Sequence, residues 1–169
     1  MSAWTSSTEI EAIFDTSLER GFKSPMLCDV RRVHTGHWIT PKVLRCSDDS
    51  TWGRVGGSRI IHMDGSTFTR PSTSLDTVLI REENRYWKIE VSDFKMFAFG
   101  FERFQGEWFT DCLPDGRVRI RYRYTLFSGT PLLYPMHWLF TKLLWRIYMR
   151  QVLENIRQLT IEQAPYLND

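Results

Sequence analysis

The chain of 169 residues has few cysteines and no long uninterrupted apolar run. Its three cysteines, Cys28, Cys46 and Cys112, lack the spacing of a metal or redox motif, so free thiols in a reducing compartment are the simplest interpretation. The N-terminus has neither a basic nor an apolar segment, and no stretch is long and apolar enough to cross a bilayer. We therefore expect a cytoplasmic protein without stable membrane insertion.

The chain also lacks the motifs that identify many enzyme classes. There is no Gly-rich phosphate loop, no serine elbow and no Cys–His signature. The formal net charge of +2 is too small for a nucleic-acid-binding field, so we expect no nucleic-acid partner. His34 and His37 are spaced for one helix face, but a third metal ligand is not evident. We expect no metal and no cofactor, and we regard His37 or His62 as a better candidate for proton transfer.

Aromatic residues, by contrast, are abundant and make up 14% of the chain. Large rings fill protein cores, and they also form walls for apolar ligands. The apolar fraction of 42% and the charged fraction of 25% are ordinary for a globular protein. No repeat or long linker divides the sequence, which predicts one domain over residues 1–169.

The C-terminal stretch 131–163 predicts a long helix. No Gly or Pro interrupts it after Pro135, and apolar residues recur at helical spacing in two rows. The first row is Met136, Leu139, Phe140, Leu143 and Ile147, and the second row is Trp138, Trp145, Met149, Val152, Ile156 and Leu159. A helix with two apolar rows needs cover over most of its circumference.

The sequence before this helix is mainly β-type. A first strand is expected at 8–18, and Ser24-Pro25 predicts the start of a helix that Pro41 ends. Turn residues then separate short strands, which implies an antiparallel meander. The expected strands are 43–46, 58–63, 74–80, 86–91, 99–112 and 117–127.

This order of elements resembles the helix-grip fold of the SRPBCC superfamily, which includes START proteins, birch-pollen-allergen-like proteins and polyketide cyclases. Local sequence resembles the polyketide cyclase/dehydrase branch at three places, Trp38-Ile-Thr-Pro41, Gly56-Gly-Ser-Arg59 leading to Asp64-Gly65, and Pro114-Asp115-Gly116. These motifs mark turns and packing, and the superfamily contains enzymes, carriers and receptors. The resemblance implies an α+β fold in which a curved antiparallel sheet wraps around the C-terminal helix and encloses an apolar cavity.

The last hairpin can be aligned residue by residue, because 113–117 fits a three-residue loop with Gly116 in the left-handed conformation. Counting outward places Glu107 opposite Arg123 and Asp111 opposite Arg119, which makes both acids surface partners of arginines. A slip of one residue would mix the charged and apolar faces. The inward pairs are then Thr110–Ile120, Trp108–Tyr122, Gly106–Tyr124 and Phe104–Leu126, and we expect Gly106 to leave open space opposite Tyr124.

The sequence of the preceding hairpin allows two positions for the Asp76 side chain. If Arg81 pairs with Tyr86, then Ile80, Val78 and Asp76 share a face with Trp87, Ile89 and Val91. An inward, unpaired Asp76 carboxylate would have a raised pKa and could act as an acid or a base. The alternative places Asp76 at the wet rim of the sheet.

These assignments define the candidate site. The catalytic candidates are Tyr122, Tyr124, Asp76 and His62. The expected substrate contacts are Trp108, Phe104, Gly106, Thr110, Trp87 and Trp38 together with Met136, Phe140 and Leu143 of the first helix row. The second helix row is left for the N-terminal segment or a partner, including a homodimer through the C-terminal helix.

Resemblance to polyketide cyclases implies an enzyme that guides the cyclisation or dehydration of an apolar, oxygenated substrate from polyketide- or terpenoid-type biosynthesis. A pericyclic closure of Diels–Alder type would need only the shape of the cavity and one hydrogen-bond donor. Two alternatives use the same elements without catalysis. One is a carrier or sensor of a hydrophobic ligand, and the other is an interaction module.

Overall fold

The structure is a computed structural model that describes residues 4–38, 40–47, 50–66, 70–93 and 100–167. The helices of the first half are α1 (Leu18–Leu27) and α2 (Val30–Val33). The strands are β1 (Thr5–Phe14), β2 (Val43–Cys46), β3 (Ser58–Met63), β4 (Ser72–Glu82), β5 (Tyr86–Ser92), β6 (Phe101–Cys112) and β7 (Val118–Ser128). The C-terminal helix consists of a 3₁₀ turn (Pro131–Leu133), α3 (Tyr134–Phe140), a π-helical turn (Thr141–Trp145) and α4 (Arg146–Ile161).

Within the described residues, seven strands form one curved antiparallel sheet in the order β1-β7-β6-β5-β4-β3-β2. Five of the six pairings join strands that are neighbours in sequence, and β1 adds to the free edge of β7. Helix α4 packs against α1, α2 and β1, so the C-terminal helix lies across the sheet. The predicted α+β helix-grip fold is confirmed.

The register predicted for the last hairpin is also confirmed. Gly106 lies opposite Tyr124, Trp108 opposite Tyr122 and Glu107 opposite Arg123. The Leu113 N–H donates to the Arg117 carbonyl at 2.8 Å, and Gly116 has a φ of 84°. Alternation of charged and apolar residues along both strands therefore separates a charged outer face from an apolar inner one.

The helix predicted to start at Ser24 is wrong in its bounds. Strand β1 ends at Phe14, and Ser17 caps α1 by accepting a hydrogen bond from the Arg20 N–H. Helix α1 ends at Leu27, and the Asp29 side chain caps a separate short helix, α2. His34 ends α2 and His37 lies beyond it, so the two histidines do not share a helix face.

The assignment of the two apolar rows of the C-terminal helix also needs correction. Met136, Leu139, Leu143 and Ile147 of the first row are 44–55% exposed, whereas Met149, Val152 and Ile156 of the second row are at most 1% exposed. Early in the helix the buried positions are polar, His137 and Thr141, both 0% exposed. The inward face of the helix therefore begins with two polar residues, His137 and Thr141, and continues with the second apolar row from Trp145 onward.

The start of the helix is held by hydrogen bonds. The His137 Nδ1 lies 2.5 Å from the Ser128 hydroxyl of β7, and the Thr141 hydroxyl lies 2.6 Å from the Ser6 hydroxyl of β1. Buried polar groups require such partners. These contacts direct the polar side of α3 toward the sheet and leave its apolar side in solvent.

Candidate functional site

A cavity lies between the inner face of the sheet and helices α1, α2 and α4. The volume of the cavity is about 120 Å³. A single water needs roughly 10–15 Å³, so the cavity has room for several waters or one small organic molecule. Its wall is mostly aliphatic and aromatic, with polar groups from Arg59, Asp76, His34 and three tyrosines.

Arg59 and Asp76 face each other on the cavity wall. They are paired in the β3–β4 register, and Nη2 of Arg59 is 3.7 Å from Oδ2 of Asp76. Both residues are buried, and burial raises the pKa of Asp76 to about 6 although the Arg59 charge opposes that rise. Burial also lowers the pKa of Arg59, and its guanidinium lies over the Trp52 ring at 3.7 Å.

Three tyrosine hydroxyls supply hydrogen-bonding groups to the same wall. Tyr122 and Tyr124 come from β7, with ring centroids 5.4 Å apart, and Tyr148 comes from α4. Burial raises the pKa of each phenol well above its ordinary value, so all three are neutral at pH 7. After burial, the neighbouring phenols of Tyr124 and Tyr148 further raise the pKa of Tyr122. The phenols are therefore donors rather than anions.

His34 and Tyr148 form a second polar contact in the wall, with His34 Nδ1 2.7 Å from the Tyr148 hydroxyl. Burial and the nearby Arg59 charge lower the pKa of His34 to about 4. The imidazole is therefore neutral at pH 7, with one ring nitrogen that donates a hydrogen bond and one that accepts.

The structure brings six of the predicted site residues to the cavity. These are Asp76, Phe104, Gly106, Trp108, Tyr122 and Tyr124. Asp76 faces inward in the register that was expected for it, and the pairing differs only nearer the turn. There Arg81 pairs with Trp87 rather than Tyr86, and a bulge between Val78 and Ile80 absorbs the shift of one residue, so that Asp76 lies opposite Val91 as expected. Ile80 was expected to face inward and is instead 38% exposed.

Gly106 does not leave the open space that was expected. A Cβ at this position would be 2.9 Å from Cζ of Tyr124 and 3.1 Å from its hydroxyl. The Tyr124 ring thus lies directly over the glycine, which is why no side chain fits there. The glycine sets the position of a cavity hydroxyl rather than the volume of the cavity.

Trp87 and Thr110 are buried but do not line the cavity. The Trp87 indole N–H donates to the Phe22 carbonyl at 2.9 Å, and the Thr110 hydroxyl donates to the Asn84 carbonyl at 2.9 Å. Trp108 does line the cavity, but its N–H donates to the Gly21 carbonyl at 3.0 Å. The two indoles therefore anchor α1, and both N–H groups are occupied by backbone carbonyls.

Five other predicted site residues lie away from the cavity. His62 alternates with the inward residues Arg59, Ile61 and Met63 of β3, so it belongs to the outer face. Trp38 is 59% exposed and follows α2. Phe140 packs against Phe101 and Trp145 at the edge of the core. Met136 and Leu143 are exposed, as described for their helix row.

Arg59, His34 and Tyr148 were not predicted as site residues. Arg59 could have been found, because it alternates with Ile61 and Met63 on one strand face. Its position opposite Asp76 needed the β3–β4 register, which no short turn indicates. The contact between His34 and Tyr148 joins residues 114 positions apart, and no local pattern predicts it.

The described residues contain neither a cluster of metal-ligating side chains nor a membrane-spanning helix. Among them, no group of three or more His, Cys, Asp or Glu side chains could hold a metal ion. No helix among the same residues is long and apolar enough to span a membrane.

The fold and the cavity define a helix-grip protein, and comparisons with known proteins agree. No family model and no curated protein matches the chain. A point mutant of Thalictrum flavum norcoclaurine synthase in complex with a transition-state analogue matches with a TM-score of 0.67 and 12% identity, over 96% of this chain and 98% of that chain.

Two further solved structures match over most of their length. Ara h 8.0201 gives a TM-score of 0.64 and 12% identity, over 94% of this chain and 99% of that chain. Major latex-like protein 151 from Panax ginseng gives a TM-score of 0.60 and 10% identity, over 94% of this chain and 99% of that chain. At such identities the shared property is the fold. The chain has the helix-grip fold that its sequence predicted.

Proposed function

We propose that this protein is a cofactor-independent enzyme that rearranges a small, apolar, oxygenated molecule inside the cavity. The reaction would be a cyclisation, isomerisation or dehydration of the kind found in polyketide- or terpenoid-type biosynthesis. The observation that carries the proposal is the buried Asp76 carboxyl on the cavity wall, with a pKa raised to about 6. A proton-transfer group works best when its pKa lies near the operating pH.

The neighbouring groups support this role for Asp76. Neutral phenols at Tyr122 and Tyr124 can donate hydrogen bonds to a substrate carbonyl, which stabilises the negative charge that develops when a proton leaves the adjacent carbon. The Asp76 carboxylate would take that proton. In an isomerisation it returns the proton to another carbon, and in a dehydration it gives it to the leaving hydroxyl, which departs as water.

The apolar remainder of the wall supports a cyclisation. A flexible chain that is held in one reactive fold gains up to ~7–11 kcal/mol in favourable intramolecular cases. Trp108, Phe104 and Trp145 line the cavity from the sheet and the helix, and they can fix such a conformation. A synthase with this fold has been solved with a transition-state analogue, which is consistent with a catalytic use of the fold.

The alternative function is a carrier or sensor of a hydrophobic ligand. One observation favours it: within the described part of the chain, Nε of the buried Arg59 has no hydrogen-bond partner. An oxygen of a bound ligand could accept from this group without any reaction. Both functions require a ligand in the cavity, and they differ in what Asp76 does to it.

The test begins with the ligand. Native mass spectrometry of the protein purified from its natural source would identify a retained molecule, which is then incubated with the wild type, Asp76→Asn and Asp111→Asn. Asp111 is an exposed carboxylate of the outer face and serves as the matched control. We expect Asp76→Asn to bind the molecule and to convert it at least 100-fold more slowly, as is typical for the loss of an acid–base group.

Two results would count against the enzyme. The first is that Asp76→Asn converts the molecule as fast as the wild type. The second is that the wild type returns the retained molecule and its chemical precursors unchanged, which would favour the carrier. Thermal unfolding of each variant shows whether lost activity reflects lost folding.

A further inference from the structure

The first turns of the C-terminal helix expose an apolar surface. Exposed fractions of its larger side chains range from 44% for Met136 to 86% for Leu132. The surface, called the apolar face below, consists of Leu132, Pro135, Met136, Trp138, Leu139, Leu143 and Ile147. The opposite side of the same turns is already covered, since His137 and Thr141 are buried against the sheet. Contiguous exposed apolar surface of this kind marks an interaction site.

The charges beside the apolar face have one sign. Lys142, Arg146 and Arg150 recur every four residues, and the sequence has no Asp or Glu from Pro131 to Leu153. Arg146 and Arg150 are exposed, and neither has an ion-pair partner among the residues that the structure describes. A row of cations thus accompanies the apolar face along the helix, and its charge is not neutralised locally.

We propose that the apolar face docks onto an anionic lipid bilayer, with the C-terminal helix lying in the plane of the interface. Helices that bind this way combine an apolar side containing Trp and Leu with a polar side rich in Lys and Arg. Exposed Trp138 meets this requirement, and Trp4, 50% exposed, adds a second indole beside Tyr134 at a ring distance of 5.2 Å. Indole rings favour the headgroup region.

A second copy of the chain fits the apolar face less well. A two-fold interface would pair this surface with itself. Lys142, Arg146 and Arg150 of each copy would then lie near the same cations of the other, and this part of the helix carries no acidic residue to compensate them. Like charges across an interface are unfavourable. An anionic lipid surface is complementary to both the cations and the apolar side chains.

This proposal is independent of the proposed function, because it concerns the side of the helix that faces away from the cavity. Its test is co-sedimentation of the purified full chain with vesicles of phosphatidylcholine alone or of phosphatidylcholine mixed with phosphatidylglycerol. We expect binding to the mixed vesicles that is strong at low salt and weaker when sodium chloride is added. Vesicles without the anionic lipid should bind much less protein.

Two variants separate the contributions. Arg146→Gln/Arg150→Gln should weaken binding to the mixed vesicles about 25-fold, or roughly fivefold for each cation at the surface. Leu139→Gln/Leu143→Gln/Ile147→Gln should weaken it about 100-fold, because three side chains no longer enter the apolar region. The matched control is Arg54→Gln/Arg85→Gln, which removes two exposed cations elsewhere and should bind like the wild type.

Three results would overturn the proposal. In the first, the wild type stays in solution with both kinds of vesicle at low salt. In the second, the apolar variant binds the mixed vesicles as tightly as the wild type does. In the third, sedimentation shows a wild-type dimer that the apolar variant abolishes and that binds no vesicles, so that a second copy occupies the face.

Discussion

Arg59 and Asp76 lie opposite each other on β3 and β4, with 3.7 Å between their closest charged atoms and with side chains only 6% and 10% exposed. At this distance the pair lacks a direct short hydrogen bond. Taking both charges out of water is costly, and a buried pair with loose geometry recovers little of that cost. Stability alone is therefore a poor reason for the pair, and its place on the cavity wall supports a role in ligand chemistry.

The first prediction concerns the separation of this pair. Asp76→Ala leaves Arg59 as an uncompensated buried cation, so we expect a loss of ~3–5 kcal/mol in the free energy of unfolding. Arg59→Met/Asp76→Leu removes both charges and should cost far less than the single change, or even stabilise the protein. Urea denaturation at pH 7 measures both.

An exposed pair provides the control for that prediction. Arg119 and Glu11 are also 3.7 Å apart, but their side chains are 44% and 53% exposed. Glu11→Ala should change the free energy of unfolding by less than ~1 kcal/mol, because solvent screens this pair. Equal costs for Asp76→Ala and Glu11→Ala, or additive costs at Arg59 and Asp76, would contradict the assignment of a buried, coupled pair.

The second prediction concerns pH and uses the opposite shifts of Asp76 and His34. Asp76 has a pKa of about 6 in the folded protein against 3.8 for the free side chain, so its ionisation lowers stability as pH rises from about 4 to about 6. His34 has a pKa of about 4 against 6.5, so its protonation in the unfolded chain lowers stability as pH falls from about 6.5 to about 4.

The two effects overlap in pH and have opposite signs. His34→Gln should remove the contribution that makes the free energy of unfolding increase with pH. Asp76→Asn should remove the contribution that makes it decrease with pH. Each slope approaches ~1.4 kcal/mol per pH unit where one proton separates the folded and unfolded states. Denaturation at roughly pH 4, 5, 6 and 7 covers both titrations and gives the slopes. Parallel pH profiles for the wild type and both variants would show that the shifts are absent.

The wall formed by β6 and β7 could be predicted because one short turn fixes its register. Gly116 ends the loop, and charged pairs such as Glu107–Arg123 then alternate with apolar ones. The predicted ion pair of Glu107 with Arg123 is present at 3.9 Å, whereas the exposed Asp111 carboxylate contacts Arg121 at 3.4 Å rather than the predicted Arg119. Strands β3 and β4 are joined by a longer segment, so Arg59 could not be aligned with Asp76 in this way.

The helix face could not be predicted from apolar spacing because its first buried residues are polar. His137 stacks on Phe101 with ring centroids 3.9 Å apart, and Thr141 bonds to Ser6. The π-helical turn at Thr141–Trp145 then shifts the phase between α3 and α4. Regular helical spacing continued through this turn would place Leu143 in the core, whereas its side chain is 55% exposed.

The third prediction concerns the contact between Gly106 and Tyr124. Gly106→Ala places a methyl group 2.9 Å from Cζ of Tyr124, so the ring must move into the cavity. We expect a destabilisation of ~1–3 kcal/mol from overpacking and weaker binding of any ligand that contacts the Tyr124 hydroxyl. Thermal unfolding and titration with 8-anilinonaphthalene-1-sulfonate measure the two effects.

A double variant keeps this prediction specific. Gly106→Ala/Tyr124→Leu removes the ring that the methyl group would strike, so the added cost of Gly106→Ala should largely vanish in that background. If Gly106→Ala costs the same with Tyr124 and with Leu at that position, the contact does not explain why glycine is needed.

The last prediction contrasts two apolar residues of the C-terminal helix that sequence periodicity treats alike. Met149 is fully buried against the core, and Leu143 is 55% exposed. Met149→Ala leaves a cavity and should lower the free energy of unfolding by ~2–5 kcal/mol. Leu143→Ala should change it by less than ~0.5 kcal/mol, because the side chain has little burial to lose and alanine suits a helix. Urea denaturation compares both variants, and a larger cost at Leu143 would mean that the first row, as the periodicity predicted, faces the core.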